Sequence, residues 1–176
     1  MFRDSARELK LLRSQMLVAM FAAMQVIAMS PLLTIKQPTQ NFSFSFVFQA
    51  ATGMLFGPVA AAMQGAVVDV VQWLVFPTGP YFPGFTLTAV LSGCVYGCFF
   101  YRTRVSWIRA LCAKGLVNLF LNSGLNTLWI VILYNRAVGV ILPARIGKNM
   151  LFLLLEVPLL VVACTALERV RRRPYL

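Results

Sequence analysis

The sequence predicts an all-α membrane protein: one domain over residues 1–176, built as a bundle of six transmembrane helices with both termini cytoplasmic. Three observations predict it. Of the 176 residues, 60% are hydrophobic and only 12% charged, against about 25% charged in a soluble domain. The apolar residues are gathered into runs such as 17–33, 59–76 and 149–167, each near the length a bilayer-crossing helix requires. The cations fall in the short segments that flank those runs, and they fall unevenly.

That third observation also disposes of the net charge. A soluble protein at +11 would suggest nucleic acid as a partner. Here the tail Arg169, Arg171, Arg172 and Arg173 reads instead as a cytoplasmic stop beside anionic lipid. The four cysteines lie inside predicted spans, and the chain has no histidine. Cys94 and Cys98 therefore lack the partners of a typical metal site and read as small packing residues, so no metal and no cofactor are expected.

Residues 1–13 form an amphipathic cytoplasmic lead carrying Arg3, Arg7 and Lys10. Span 1 runs from Leu12 to Leu33 and, lacking a small-residue cleavage site after it, reads as a retained helix. Ala19 and Ala23 lie one turn apart on it, a small-xxx-small surface suited either to a partner helix or to packing within the bundle. The polar segment 36–41 follows. Phe42, Phe44, Phe46 and Phe48 alternate with Ser43 and Ser45, which favours extended chain up to Ser45. Gly57-Pro58 divides the next run into a short span 2 and a span 3. Span 3 places Gln64, Asp69 and Gln72 at membrane depth, where a carboxylate must face a partner or a cavity.

Residues 77–84 make a stiff aromatic loop whose three prolines preset its backbone as a shaped lid. Span 4 runs from Phe85 to Tyr101, with Gly93 and Gly97 on one close-packing face. Span 5, Ser106–Tyr134, carries Lys114, Asn118, Asn122 and Asn126 every four residues, with Trp129 in the same arc. Such an array should line an interior seam. The inner pair, Lys114 and Asn118, reads as interhelical glue and the outer pair as cavity lining. A loop over 135–143 contains Arg136, and span 6 starts near Arg145 and carries Glu156. Lys114 has two candidate counter-ions, Asp69 and Glu156.

Six spans leave both termini on one side. Eleven cations lie on that side, in the lead, the 102–109 loop and the tail, against Lys36, Arg136, Arg145 and Lys148 opposite, which assigns the termini to the cytoplasm. The four outer cations have no acidic neighbours in their loops. Lys36 or Arg136 alone is explained by snorkelling to lipid phosphate. Arg145 and Lys148, three apart at a helix start, share a side and suit a carboxylate. The candidate ligand site thus comprises Arg145, Lys148 and Lys36 at a positive mouth, Tyr81, Phe82, Phe85 and Trp129 as aromatic faces, and Asn122, Asn126, Asp69 and Gln72 as readers of a heterocycle edge. An elongated ligand with an acidic tail and a flat polar head fits it.

The ordered set Gly53-Met-Leu-Phe-Gly-Pro58, Gly65 with Asp69, Tyr81-Phe-Pro-Gly-Phe-Thr-Leu87, Asn126-Thr-Leu-Trp129 and Arg145-Ile-Gly-Lys-Asn149 resembles the substrate-binding S components of energy-coupling-factor (ECF) vitamin transporters, most closely the folate-specific family. The resemblance spans essentially the whole chain. It implies a vitamin-binding subunit of the bacterial plasma membrane that captures folate at its outer face. It also implies docking through span 1, at alanines such as Ala19 and Ala23, onto a transmembrane coupling subunit with two cytoplasmic ATPases. A different vitamin, such as riboflavin or thiamine, is the alternative ligand.

Enzymatic readings are weaker. A phosphate loop ending at Gly147-Lys148 would need Gly at 142 and Ser or Thr at 149, where Leu142 and Asn149 stand. ATP hydrolysis is therefore expected in partner subunits. Asp69 or Glu156 as an acid or base lacks a histidine or metal beside it, and a structural pair suits them better. A plain channel or scaffold would be told apart by cysteine accessibility along the spans.

Overall fold

The computed structural model describes residues 5–6, 8–9, 11–31, 34–36, 41–77, 80–134 and 138–171. Arg3, Arg7 and Lys10 of the lead, residues 78–79 of the aromatic loop, Arg136, and Arg172 and Arg173 of the tail lie outside them. The helices are α1 (Leu12–Ala28), α2 (Ser45–Phe56), α3 (Pro58–Val75), α4 (Pro83–Phe100), α5 (Trp107–Leu116), a π-helical segment (Val117–Leu125), α6 (Asn126–Tyr134) and α7 (Val138–Arg171). Because α5, the π segment and α6 run end to end, the described residues form six rods. Four stretches are long and apolar enough to cross a membrane: Pro58–Val75, Pro83–Phe100, Trp107–Leu133 and Arg145–Arg169, with α1 and α2 shorter and also apolar.

The breaks follow from local chemistry. Gly57 takes φ 90° between α2 and α3, a conformation that a Cβ would strain. Pro58 then occupies the first turn of α3, and Pro83 opens α4 in the same way, positions where the missing N–H costs nothing. The phenylalanine alternation is extended only at its start. Asn41–Phe42 (β2) pairs antiparallel with Ile35–Lys36 (β1), and helix begins at Ser45, so Phe46 and Phe48 are helical.

Span 6 differs from expectation. The sequence places a loop over 135–143, yet α7 is helical from Val138 through Pro143 to Arg171. The stretch apolar enough to cross a membrane begins only at Arg145, so the helix extends beyond the span at its N-terminal end, and Pro143 lies within that extension.

The core gathers Met54, Tyr96, Phe100, Val117 and Leu160 from α2, α4, the π segment and α7. Packing is tightest between α3 and α4, where a Cβ on Gly93 would run into the Ala61 carbonyl. On the outside, Leu151, Leu154, Leu155 and Val162 of α7 are each about two-thirds exposed or more. An apolar face of that extent belongs against lipid. Ala19 and Ala23 are also exposed on α1, so these two do not pack inside their own bundle.

Candidate functional site

A cavity of about 500 Å³ opens between the ends of α3, α4 and α6, within the usual range for a small-molecule site. Asp69 and Gln72 reach it from α3, Tyr81 and Phe82 from the aromatic loop, Phe85 from α4, and Asn122 and Asn126 from the π segment and α6. An inner recess of about 150 Å³ shares Asp69, Ser92 and Asn122 with it and continues toward Gln49, Tyr96 and Lys114.

The carboxylate of Asp69 is oriented by a short chain of hydroxyls. Thr86 Oγ1 donates to Asp69 Oδ2 at 2.7 Å. Its single proton thus committed, Thr86 accepts from Tyr81 OH at 2.8 Å. Tyr81 also packs edge-on against Trp73, with ring centroids 5.4 Å apart. Tyr81 of the aromatic loop and the carboxylate of Asp69 on α3 are therefore two ends of one hydrogen-bonded unit.

Trp129 is drawn into the wall behind the cavity rather than its lining. Its Nε1 donates to Thr88 Oγ1 at 3.1 Å, and its ring lies 5.5 Å from that of Phe82. Through those contacts it fixes two residues that do line the cavity.

The asparagine seam ends in a buried ion pair. Lys114 Nζ lies 3.4 Å from Glu156 Oε1, with side chains 4% and 10% exposed, and 3.4 Å from the centre of the Phe46 ring. Of the two possible counter-ions the structure thus selects Glu156, and Asp69 is held by Thr86 instead. Asn118 Nδ2 donates to Glu156 Oε2 at 2.6 Å. Asn122 Nδ2 donates to Asn118 Oδ1 at 3.1 Å and Asn126 Nδ2 to Asn122 Oδ1 at 3.3 Å. Lysine, glutamate and three amides form one continuous polar ladder from the bundle interior to the cavity.

The backbone beside that ladder is π-helical, a geometry associated with functional positions. It is stitched from outside. Ser123 Oγ donates to Asn118 O at 2.9 Å, and Asn149 Nδ2 on α7 reaches both Asn118 O at 3.2 Å and Ser123 Oγ at 2.7 Å.

Arg145 is half-buried and is not among the residues lining the cavity. The side chains of Lys36 and Lys148 lie outside the described residues. Sequence reasoning also missed Asn149, which it treated only as part of a cationic motif, and Thr88 and Ser92, which line the cavity from α4. Their four-residue spacing inside an apolar span was a readable signal of a polar face. Gln25 was missed likewise, although it accepts from Gln64 Nε2 at 2.7 Å in the interior.

A helical bundle with apolar outer faces and a half-open, amide-lined cavity near one end defines a membrane protein that binds a small molecule within its own helices. Comparison with known proteins makes this specific. The family described as "ECF transporter, substrate-specific component" matches residues 13–165, and the chain belongs to that family. It is a multi-pass transporter component and not an enzyme. It is 41% identical over 123 residues to the folate transporter FolT of Clostridium novyi (strain NT), covering 70% of this chain and 72% of that one. It is 32% identical over 152 residues to the FolT of Leuconostoc mesenteroides, covering 82% and 80%. A crystal structure of FolT bound with folic acid superposes with a TM-score of 0.80 at 33% identity, over 88% of this chain and 92% of that one.

Proposed function

We propose that this chain is the folate-capturing subunit of an ECF-type importer in a bacterial plasma membrane. Folate binds in the 500 Å³ cavity from the outer face, with both termini cytoplasmic as the cation bias requires. Asp69, Gln72, Asn122 and Asn126 read the polar head. Tyr81, Phe82 and Phe85 hold its ring, with Trp129 behind them. Arg145, Lys148 and Lys36 receive the glutamate tail, and the single domain spans residues 1–176. Ala19 and Ala23 dock on a transmembrane coupling subunit whose two associated ATPases supply the energy for inward delivery.

The observation that carries this reading is a cavity combining aromatic faces, amides and one carboxylate, in a fold matching FolT bound with folic acid at a TM-score of 0.80. Isothermal titration of the purified protein with folic acid tests it. Saturable, tight binding is expected, together with folate copurifying from the membrane. No heat with folic acid, alongside saturation by riboflavin or thiamine, would assign the cavity to another vitamin.

A further inference from the structure

We infer that Glu156, which lies two amides away from Asn126, sets the direction of the whole asparagine ladder and thereby makes its cavity end a hydrogen-bond acceptor, selecting ligands that present an N–H donor there. The inference deepens the folate reading by naming the ligand edge. The polarity of the ladder itself rests only on the residues below.

Donors and acceptors alternate along the ladder. A carboxylate held by Lys114 at 3.4 Å only accepts. Asn118, 2.6 Å from its other oxygen, must turn its NH2 toward it, because the opposite flip would set two acceptors face to face. The Asn118 carbonyl is then the group offered to Asn122, which must answer with its own NH2 at 3.1 Å. The same step repeats to Asn126 at 3.3 Å. Oxygen and nitrogen cannot be told apart by shape in an isolated amide, but here one fixed charge assigns all three.

The last member of such a ladder has an oxygen left over. Asn126 lines the cavity, and its Oδ1 has no hydrogen-bond partner and lies just beneath the surface, so a ligand N–H meets it once that side chain turns toward the cavity. A buried acceptor left unmatched is costly, and a ligand N–H that reaches it recovers that cost. A site built this way rejects an analogue offering an acceptor at the same place far more strongly than size alone would. Glu156 is thus a positioning residue: it need not touch the ligand to decide which edge is read.

The test compares folic acid with its lumazine counterpart, in which the pteridine 2-amino donor is replaced by a carbonyl. Both are titrated against the unmodified protein, Glu156→Leu and Asn126→Ala. Because Glu156→Leu leaves Lys114 buried without its counter-ion, the charge-neutral double variant Lys114→Met/Glu156→Leu is measured beside it. The unmodified protein should prefer folic acid, and each variant should reduce that preference by about tenfold or more, the worth of one buried hydrogen bond. An equal loss of affinity for both ligands would show that Glu156 merely holds helices together and would overturn the inference. A ligand-free measurement separates the two proposals. With asparagine side chains labelled with nitrogen-15, one Asn118 amide proton should resonate downfield in the unmodified protein and move upfield in the double variant. Failure of that shift overturns the ladder's polarity. The expected shift with no binding of either pteridine overturns the folate reading and the ligand edge while leaving the polarity standing.

Discussion

Asn149 Nδ2 donates to Ser123 Oγ at 2.7 Å, joining the last long helix, about three turns in from its start, to the π-helical segment of the rod before it. The same amide reaches Asn118 O at 3.2 Å, beside the side chain that contacts Glu156. Asn149 is 3% exposed, so its amide has no water to fall back on. One residue thus secures the backbone on which the cavity's asparagines stand.

Asn149→Ala should therefore lower stability by about 1–3 kcal/mol, the cost of leaving buried partners unmatched, and weaken folic acid binding as well. Thermal unfolding in detergent with titration in parallel measures both. Leu151→Ala, at an exposed position on the same helix, is the control and should leave binding unchanged.

The ion pair of Lys114 and Glu156 predicts an asymmetry between single and double replacement. Lys114→Met alone strands a buried carboxylate and should cost about 3–5 kcal/mol, whereas adding Glu156→Gln should restore most of it. Additive losses in a double-mutant cycle would show that the two groups do not depend on each other.

Asp69→Asn keeps the size of the side chain but not its charge, and its amide can still accept from Thr86. Folic acid affinity should fall about tenfold or more, since hydrogen bonds to an ionised acceptor are the stronger kind. Unchanged affinity would confine Asp69 to bracing the aromatic loop.

The assignment of the rim is tested by ligand truncation. Arg145→Ala and Lys148→Ala should weaken folic acid more than a pterin lacking the glutamate. Equal losses for the two ligands would remove these cations from the tail.

Partner docking separates from binding. Ala19→Trp or Ala23→Trp, both on the exposed side of α1, should abolish uptake into vesicles carrying the energising subunits while titration with folic acid stays normal. Intact uptake would place the partner surface elsewhere.

The six rods were legible in the sequence because apolar runs mark their extent and Gly57-Pro58 marks one boundary, which coincides with a helix start; α4 begins at Pro83, two residues before the Phe85 expected from the end of the aromatic loop. The helical turns before Arg145 were not legible, because they lie ahead of the apolar run that marks the span. The seam of Asn118, Asn122 and Asn126 was visible from spacing alone. The π geometry was not, because a four-residue recurrence is compatible with either helix type and the stabilising amide, Asn149, comes from 31 residues away from Asn118. Which carboxylate meets Lys114 was likewise undecidable from the sequence, as it depends on how α7 lies against α5. Trp129 was expected to line the cavity with the asparagines, but its indole N–H donates to Thr88 on another helix, and no periodicity within one helix can reveal that.

The near-touching backbones at Gly93 and Ala61 divide the labour among the walls of the cup. At that crossing no side chain lies between the two backbones that could change rotamer to absorb sliding, so α3 and α4 are locked together there. Thr86 and Asp69 tie the same two helices a second time beside the cavity, so Asp69, Thr88 and Ser92 are carried on one plank that shifts as a unit.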